Sequence, residues 1–162
     1  MLKYDHLLNI PFSYKTQNCY HTVQGFYAAN FGIELPDYAC PKDFWDHGLD
    51  LYMTRYRKCG FYPLECHPSE YQPGDIILCA IDSSVANHIG VFVENGQVLH
   101  HLLGRLSTVE SYRALLRNTT VAIMRHKDVQ LDKTETTANL LDLVSPRIKR
   151  KLNEHLASSG TV

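Results

Sequence analysis

No stretch of this sequence reaches the roughly 18 consecutive apolar residues that a membrane-spanning helix needs. The opening Met1-Leu2-Lys3-Tyr4-Asp5-His6 lacks the continuous apolar core of a secretory leader, so any role outside the cytoplasm would require delivery by something else. Basic charge is nowhere concentrated. The longest Lys/Arg run is Lys149-Arg150-Lys151 and the formal net charge is −1, which argues against a nucleic-acid partner, because phosphate neutralisation needs a dense basic face. Cysteine is sparse as well. Cys19, Cys40, Cys59, Cys66 and Cys79 are an odd set with no C-x-x-C pair, so no disulfide framework is expected. Joining Cys40, Cys59 and Cys66 to His47 and His67 gives no zinc-ribbon or zinc-finger spacing, and neither a metal nor a cofactor is expected. Internal repeats and low-complexity tracts are also absent.

What is present reads as one soluble globular domain with a short appendage: 162 residues, 44% hydrophobic and 20% charged. Val23, Phe26, Tyr27 and Asn30-Phe31 recur at helical spacing, with Asn18 as a natural N-cap and Gly32 as a stop, which predicts a helix over Cys19–Phe31. A Pro-punctuated loop follows, and a second helix is expected from Lys42 to about Arg57. Beyond Phe61 the pattern turns to strands. Tyr71-Gln72-Pro73-Gly74-Asp75 is a turn, and Ile76–Ala80, His88–Val93, Gln97–Leu103 and Thr120–Arg125 read as strands. Helices first and then a mostly antiparallel sheet make the class α+β. The domain is expected to span 1–126. Residues 127–162 read as a polar linker and an amphipathic helical tail over Thr137–Leu156, broken at Pro146.

Cys19 holds the address a nucleophilic thiol wants. The first turn of a helix offers free N–H groups and the positive end of the dipole, which favour a thiolate and can hold an oxyanion. His88 opens a strand after polar Ser83-Ser84-Val85-Ala86-Asn87, and an imidazole titrating near about 6.5 is the natural base for a thiol. A third group should orient that imidazole. The hairpin after His88 leaves two candidates: a two-residue Asn95-Gly96 turn places His101 on the face of His88, whereas a three-residue loop with left-handed Gly96 places His100 there.

Ile10-Pro11-Phe12, Asn18-Cys19-Tyr20, Phe26-Tyr27 and Gly32-Ile33-Glu34-Leu35-Pro36-Asp37-Tyr38 resemble phage tail proteins of the NlpC family of cell-wall cysteine peptidases. The resemblance continues through Pro73-Gly74-Asp75-Ile76-Ile77-Leu78, Asn87–Val93, Gly96–His101, Gly104-Arg105-Leu106-Ser107 and Tyr112, covering roughly 9–126. It implies a papain-like α+β fold and a catalytic triad in which Cys19, His88 and His100 occupy the matching positions. The twelve-residue step from His88 to His100 is the one the resembled family uses, so the resemblance implies the three-residue hairpin loop. The implied substrate is the stem peptide of peptidoglycan. The implied setting is the virion tail tip of a protein made in the host cytoplasm, with tail-tip or hub proteins as partners and the amphipathic tail as a candidate docking element. Tyr14, Tyr20 and His101 are the further candidates for substrate or oxyanion contacts.

The chain departs from the family pattern at Asn18-Cys19-Tyr20-His21-Thr22, where the family has Asp-Cys followed by a small pair, and in the glycine-poor loop Phe12–Gln17. Those departures favour a second reading, a catalytically silent tail-tip assembly protein that keeps the hydrolase fold for docking. A transferase, in which an amine replaces water, would use the same three residues.

Overall fold

The computed structural model describes residues 1–131. The first helix, α1 (Cys19–Phe31), has the expected bounds, and its ends show why. The Asn18 side chain accepts from the N–H groups of Tyr20 (2.9 Å) and His21 (3.1 Å), and Gly32 at φ 64° closes the helix in the left-handed region. Thr22, Val23, Phe26 and Tyr27 form its buried side.

The second expected helix, Lys42 to Arg57, is instead two short pieces. A 3₁₀ turn over Phe44–His47 ends at Gly48, whose φ of 63° and N–H bonds to the Phe44 and Trp45 carbonyls reverse the chain. The chain then restarts as α2 (Leu51–Arg55), where the Asp50 carboxylate caps the Met53 N–H at 3.2 Å. Helical spacing of apolar residues was satisfied across the break, but the backbone is divided by Gly48 and a new cap.

Six strands form one sheet: β1 (Phe61–Pro63), β2 (Ile76–Cys79), β3 (His88–Phe92), β4 (Gln97–His100), β5 (Thr108–Ser111) and β6 (Thr120–His126). Their order is β1-β6-β2-β3-β4-β5 and every pairing is antiparallel, so the α+β class holds. β1 and β5 are edge strands that the sequence pattern did not separate from loop, and so is the short helix α3 (Ala114–Thr119) between β5 and β6. β4 stops at His100 rather than Leu103, because the chain turns through Gly104 at φ 72°.

The β3–β4 hairpin closes over Glu94-Asn95-Gly96, with Asn95 and Gly96 both at positive φ (58° and 66°). Gly90 therefore pairs with His100, which is the three-residue-loop register. The sheet buries both faces. Ile76, Leu78, Ile89, Val91 and Leu99 pack with Val23, Phe26 and Tyr27 of α1, while Ile77, Cys79, Phe92 and Val98 pack with Leu116 of α3.

At the start of β2, wholly buried Asp75 takes a bidentate pair of bonds from Arg125 (2.7 and 2.8 Å) and a third from the Gln72 N–H, clamping the Pro73-Gly74 turn to β6. Beyond β6, Val129 still packs on the α1 side of the core. The expected helical tail over Thr137–Leu156 lies outside the described residues.

Candidate functional site

A cavity of about 800 Å³ opens where the start of α1, the start of β3 and the α2 segment meet. Cys19, Tyr20, Tyr52, His88 and His101 all line it. The rest of its wall is strongly aromatic, with Phe12, Tyr14, Tyr38, Phe44, Trp45 and Tyr56, and Lys15, Lys42, Arg55, Asp37 and Asp82 add charge.

His88 is placed by a backbone clasp. The Asn87 side chain both accepts from the Ile81 N–H and donates to the Ile81 carbonyl, each at 2.9 Å, and so closes the β2–β3 loop on the residue before His88. His100 lies diagonally across the hairpin on the same face, and its Nδ1 is 3.2 Å from His88 Nε2. Gly90 makes this possible. A Cβ there would stand 2.7 Å from Val98 Cγ1 and 3.2 Å from His100 Cβ. His100 is wholly buried, and its Nε2 has no hydrogen-bond partner among the described residues. The Glu110 carboxylate of β5 faces that nitrogen at 3.7 Å, an electrostatic neighbour beyond hydrogen-bond length.

Burial, then His100, then His101 push the His88 imidazole down to about 3. Burial also pushes His100 down, against the opposing pull of Glu110. Both rings are neutral at neutral pH. One proton is then shared along the pair, and if it sits on His88 Nε2 the other nitrogen, Nδ1, is a free acceptor.

The helix dipole led us to expect a lowered Cys19 thiol, and here burial wins. The thiol is pushed up by burial, with the Tyr52 hydroxyl and the backbone at Ile89, Tyr20 and Cys19 itself only partly offsetting it. Two of the N–H groups at the helix start, Tyr20 and His21, are already taken by the Asn18 cap. The sulfur's side-chain partner is Tyr52 Oη at 3.4 Å, and no hydrogen bond joins Cys19 to His88 among the described residues. The resting site is thus a neutral thiol and a neutral imidazole in one cavity.

The three further candidates border the same cavity, and their side-chain polar atoms have partners other than the sulfur. Tyr14 donates to Asp43 Oδ1 at 3.3 Å, and Tyr20 donates to the Pro36 carbonyl at 2.7 Å. Buried His101 is held between Thr22 Oγ1 of α1 (3.5 Å) and the Arg105 carbonyl (3.1 Å), with the Phe12 ring edge-on at 5.3 Å. It ties the end of β4 to α1. Ser107 acts nearby, its hydroxyl accepting from the Ile10 N–H at 2.9 Å. Sequence reasoning missed Tyr52, Asn87 and Glu110 as neighbours of the site. Asn87 was legible as a polar loop residue next to His88, whereas Tyr52 reaches the sulfur only through tertiary packing.

A model of the NlpC/P60 family matches residues 11–125. Tail tip assembly protein K of Escherichia phage lambda is 34% identical over 122 residues, covering 75% of this chain and 60% of that protein. Its namesake in Escherichia phage N15 is 31% identical over 126 residues, covering 76% of this chain and 51% of that protein. The chain thus spans between half and two thirds of the length of these relatives. Among solved structures, an NlpC/P60 family protein from Bacillus cereus ATCC 10987 shares the fold with a TM-score of 0.52 at 16% identity, covering 74% of this chain and 36% of that one.

Proposed function

The chain belongs to the NlpC/P60 family, and from that premise we propose that it is a cysteine peptidase of the phage tail tip, cutting stem peptides of peptidoglycan as the virion enters its host. The observation that carries this reading is that His88, held 3.2 Å from His100, lines one cavity together with Cys19.

In the proposed reaction His88 Nδ1 takes the proton from Cys19 as the sulfur attacks the scissile carbonyl carbon, forming a C–S bond. Because both groups rest neutral, the proton moves with bond formation rather than before it. His100 Nδ1 accepts from His88 Nε2–H, fixes the ring's tautomer and stabilises the imidazolium that forms, with Glu110 beyond it. His88 then protonates the leaving amine as the C–N bond breaks, and water hydrolyses the thioester to release the acid and restore the thiol.

A second reading is a catalytically silent assembly protein docking to tail-tip or hub proteins. It is favoured by the raised thiol, by the sulfur's bond to Tyr52 rather than to an imidazole, and by the assembly role in the names of both phage relatives.

Digestion of purified peptidoglycan by the wild-type chain and by Cys19→Ala, with released fragments read by mass spectrometry, decides between them. The peptidase reading expects peptide cuts that vanish in the variant. No release from a folded wild-type chain, alone or in assembled tails, would leave the docking role.

A further inference from the structure

We infer that Tyr52 is the hydrogen-bond donor of the Cys19 thiolate, a role supplied by the α2 segment rather than by the loop that precedes the cysteine. This rests on the reading of Cys19 as the nucleophile. Two tyrosines within five residues of Cys19 in sequence, Tyr14 and Tyr20, spend their hydroxyls on Asp43 and on the Pro36 carbonyl. The phenol that reaches the sulfur comes from thirty-three residues further on, at 3.4 Å.

The segment that brings it is built for a fixed position. Asp50 caps α2, the Thr54 hydroxyl bonds back to the Asp50 carbonyl at 2.7 Å, and the Tyr52 ring lies edge-on to Phe44 at 6.1 Å. With a neutral thiol either group can donate. Once the sulfur is charged only the phenol can, because a thiolate has no proton to give.

Burial, and then the neighbouring sulfur, hold the Tyr52 phenol well above its ordinary range, so it stays protonated while the thiol titrates. Among the described residues, Tyr52 is the side chain hydrogen-bonded to the sulfur. Cys40, from the loop before the 3₁₀ turn, and Cys79, from β2, are thiols that burial pushes up, with Cys19 making their ionisation harder still. Arg55 on α2 is near enough to pull Cys40 down but does not figure among the groups acting on Cys19. From β3 come the Ile89 backbone, which favours the thiolate, and the neutral His88 ring at the cavity wall. A donor to a charged acceptor is among the stronger hydrogen bonds. In a site where burial opposes ionisation, losing it should lower the thiolate population at a given pH about tenfold.

The test is alkylation by iodoacetamide, with the Cys19-containing peptide quantified by mass spectrometry across pH, in wild type, Tyr52→Phe and a chain carrying 3-fluorotyrosine at position 52. The Phe variant keeps the ring against Phe44, and near-UV circular dichroism reads its fold. We expect the midpoint of Cys19 alkylation to rise by about one pH unit in Tyr52→Phe. It should fall with the fluorinated ring, whose more acidic hydroxyl is the better donor. In urea all three should titrate alike. A packing role alone predicts no opposed shifts. An unchanged or lowered midpoint in a folded Tyr52→Phe, or an unchanged midpoint with the fluorinated ring, would overturn the inference. Neither readout needs peptidoglycan to be cut, so the donor role can stand or fall separately from the peptidase reading.

Discussion

Lowering the pH from about 7.5 to about 5 protonates His88 in the unfolded chain but not in the folded one. Burial, His100 and His101 hold the folded imidazole at about 3, whereas an imidazole in water titrates at about 6.5. The unfolded state therefore binds more protons throughout that window. Stability is fully present above about pH 6.5, declines as the pH drops, and stops declining on this account only near the folded value. At about pH 5 the unfolded chain has gained about 1.5 pH units of protonation free energy that the folded chain cannot match, or about 2 kcal/mol. Solvent screening does not discount this, since His88 is only 5% exposed.

Urea unfolding at both pH values, in wild type and His88→Gln, isolates the effect. His100, His101 and His126 are pushed down too and steepen both profiles. The variant is expected to be the less stable protein at neutral pH, and the gap should narrow by about 2 kcal/mol at the acidic end. Parallel pH profiles would refute the reasoning, because they would mean that the folded chain protonates His88 as readily as water does.

Three further outcomes follow from named contacts. Asp75→Ala leaves Arg125 without its bidentate partner and frees the Gln72 N–H, so urea unfolding should show a loss of about 3–5 kcal/mol. Gly90→Ala drives a methyl to 2.7 Å from Val98 Cγ1 and 3.2 Å from His100 Cβ. It should cost about 1–3 kcal/mol by urea unfolding, and NMR should show displaced His88 and His100 imidazole resonances, while unperturbed resonances would deny the coupling of glycine to ring position. Asn18→Ala removes the acceptor of the Tyr20 and His21 N–H groups. Thermal or urea unfolding should show about 1 kcal/mol lost, with Cys19 alkylation altered because the Tyr20 backbone acts on the sulfur.

How far the sequence could be read depends on how local each determinant is. α1 was legible to the residue because Asn18 and Gly32 mark its ends with side-chain and backbone chemistry of their own. The hairpin was legible up to one binary choice, and the backbone at Asn95 and Gly96 makes that choice, putting His100 rather than His101 beside His88. The thiol's ionisation was misjudged for the same reason in reverse. A helix start is visible in sequence, but the burial that outweighs it arises from tertiary packing, which brings Tyr52 to the sulfur from thirty-three positions away. The stretch from Lys42 to Arg57 shows the limit most clearly. Its apolar spacing fits one continuous helix, yet Gly48 and the Asp50 cap divide it, and that division gives α2 its own placement, with Tyr52 at the sulfur. Had the helix run unbroken, the position of Tyr52 would have been tied to that of Phe44 two turns earlier. Edge strands such as β1 and β5 fail for a related reason: with three and four residues, of which only Phe61 is buried, they carry too little periodicity to announce themselves. On the proposed peptidase reading, the cysteine and histidine motifs are therefore written locally, while the ionisation of the Cys19 thiol is set by burial and by tertiary neighbours such as Tyr52, which the divided Lys42–Arg57 segment brings to the sulfur without any change in the motif residues.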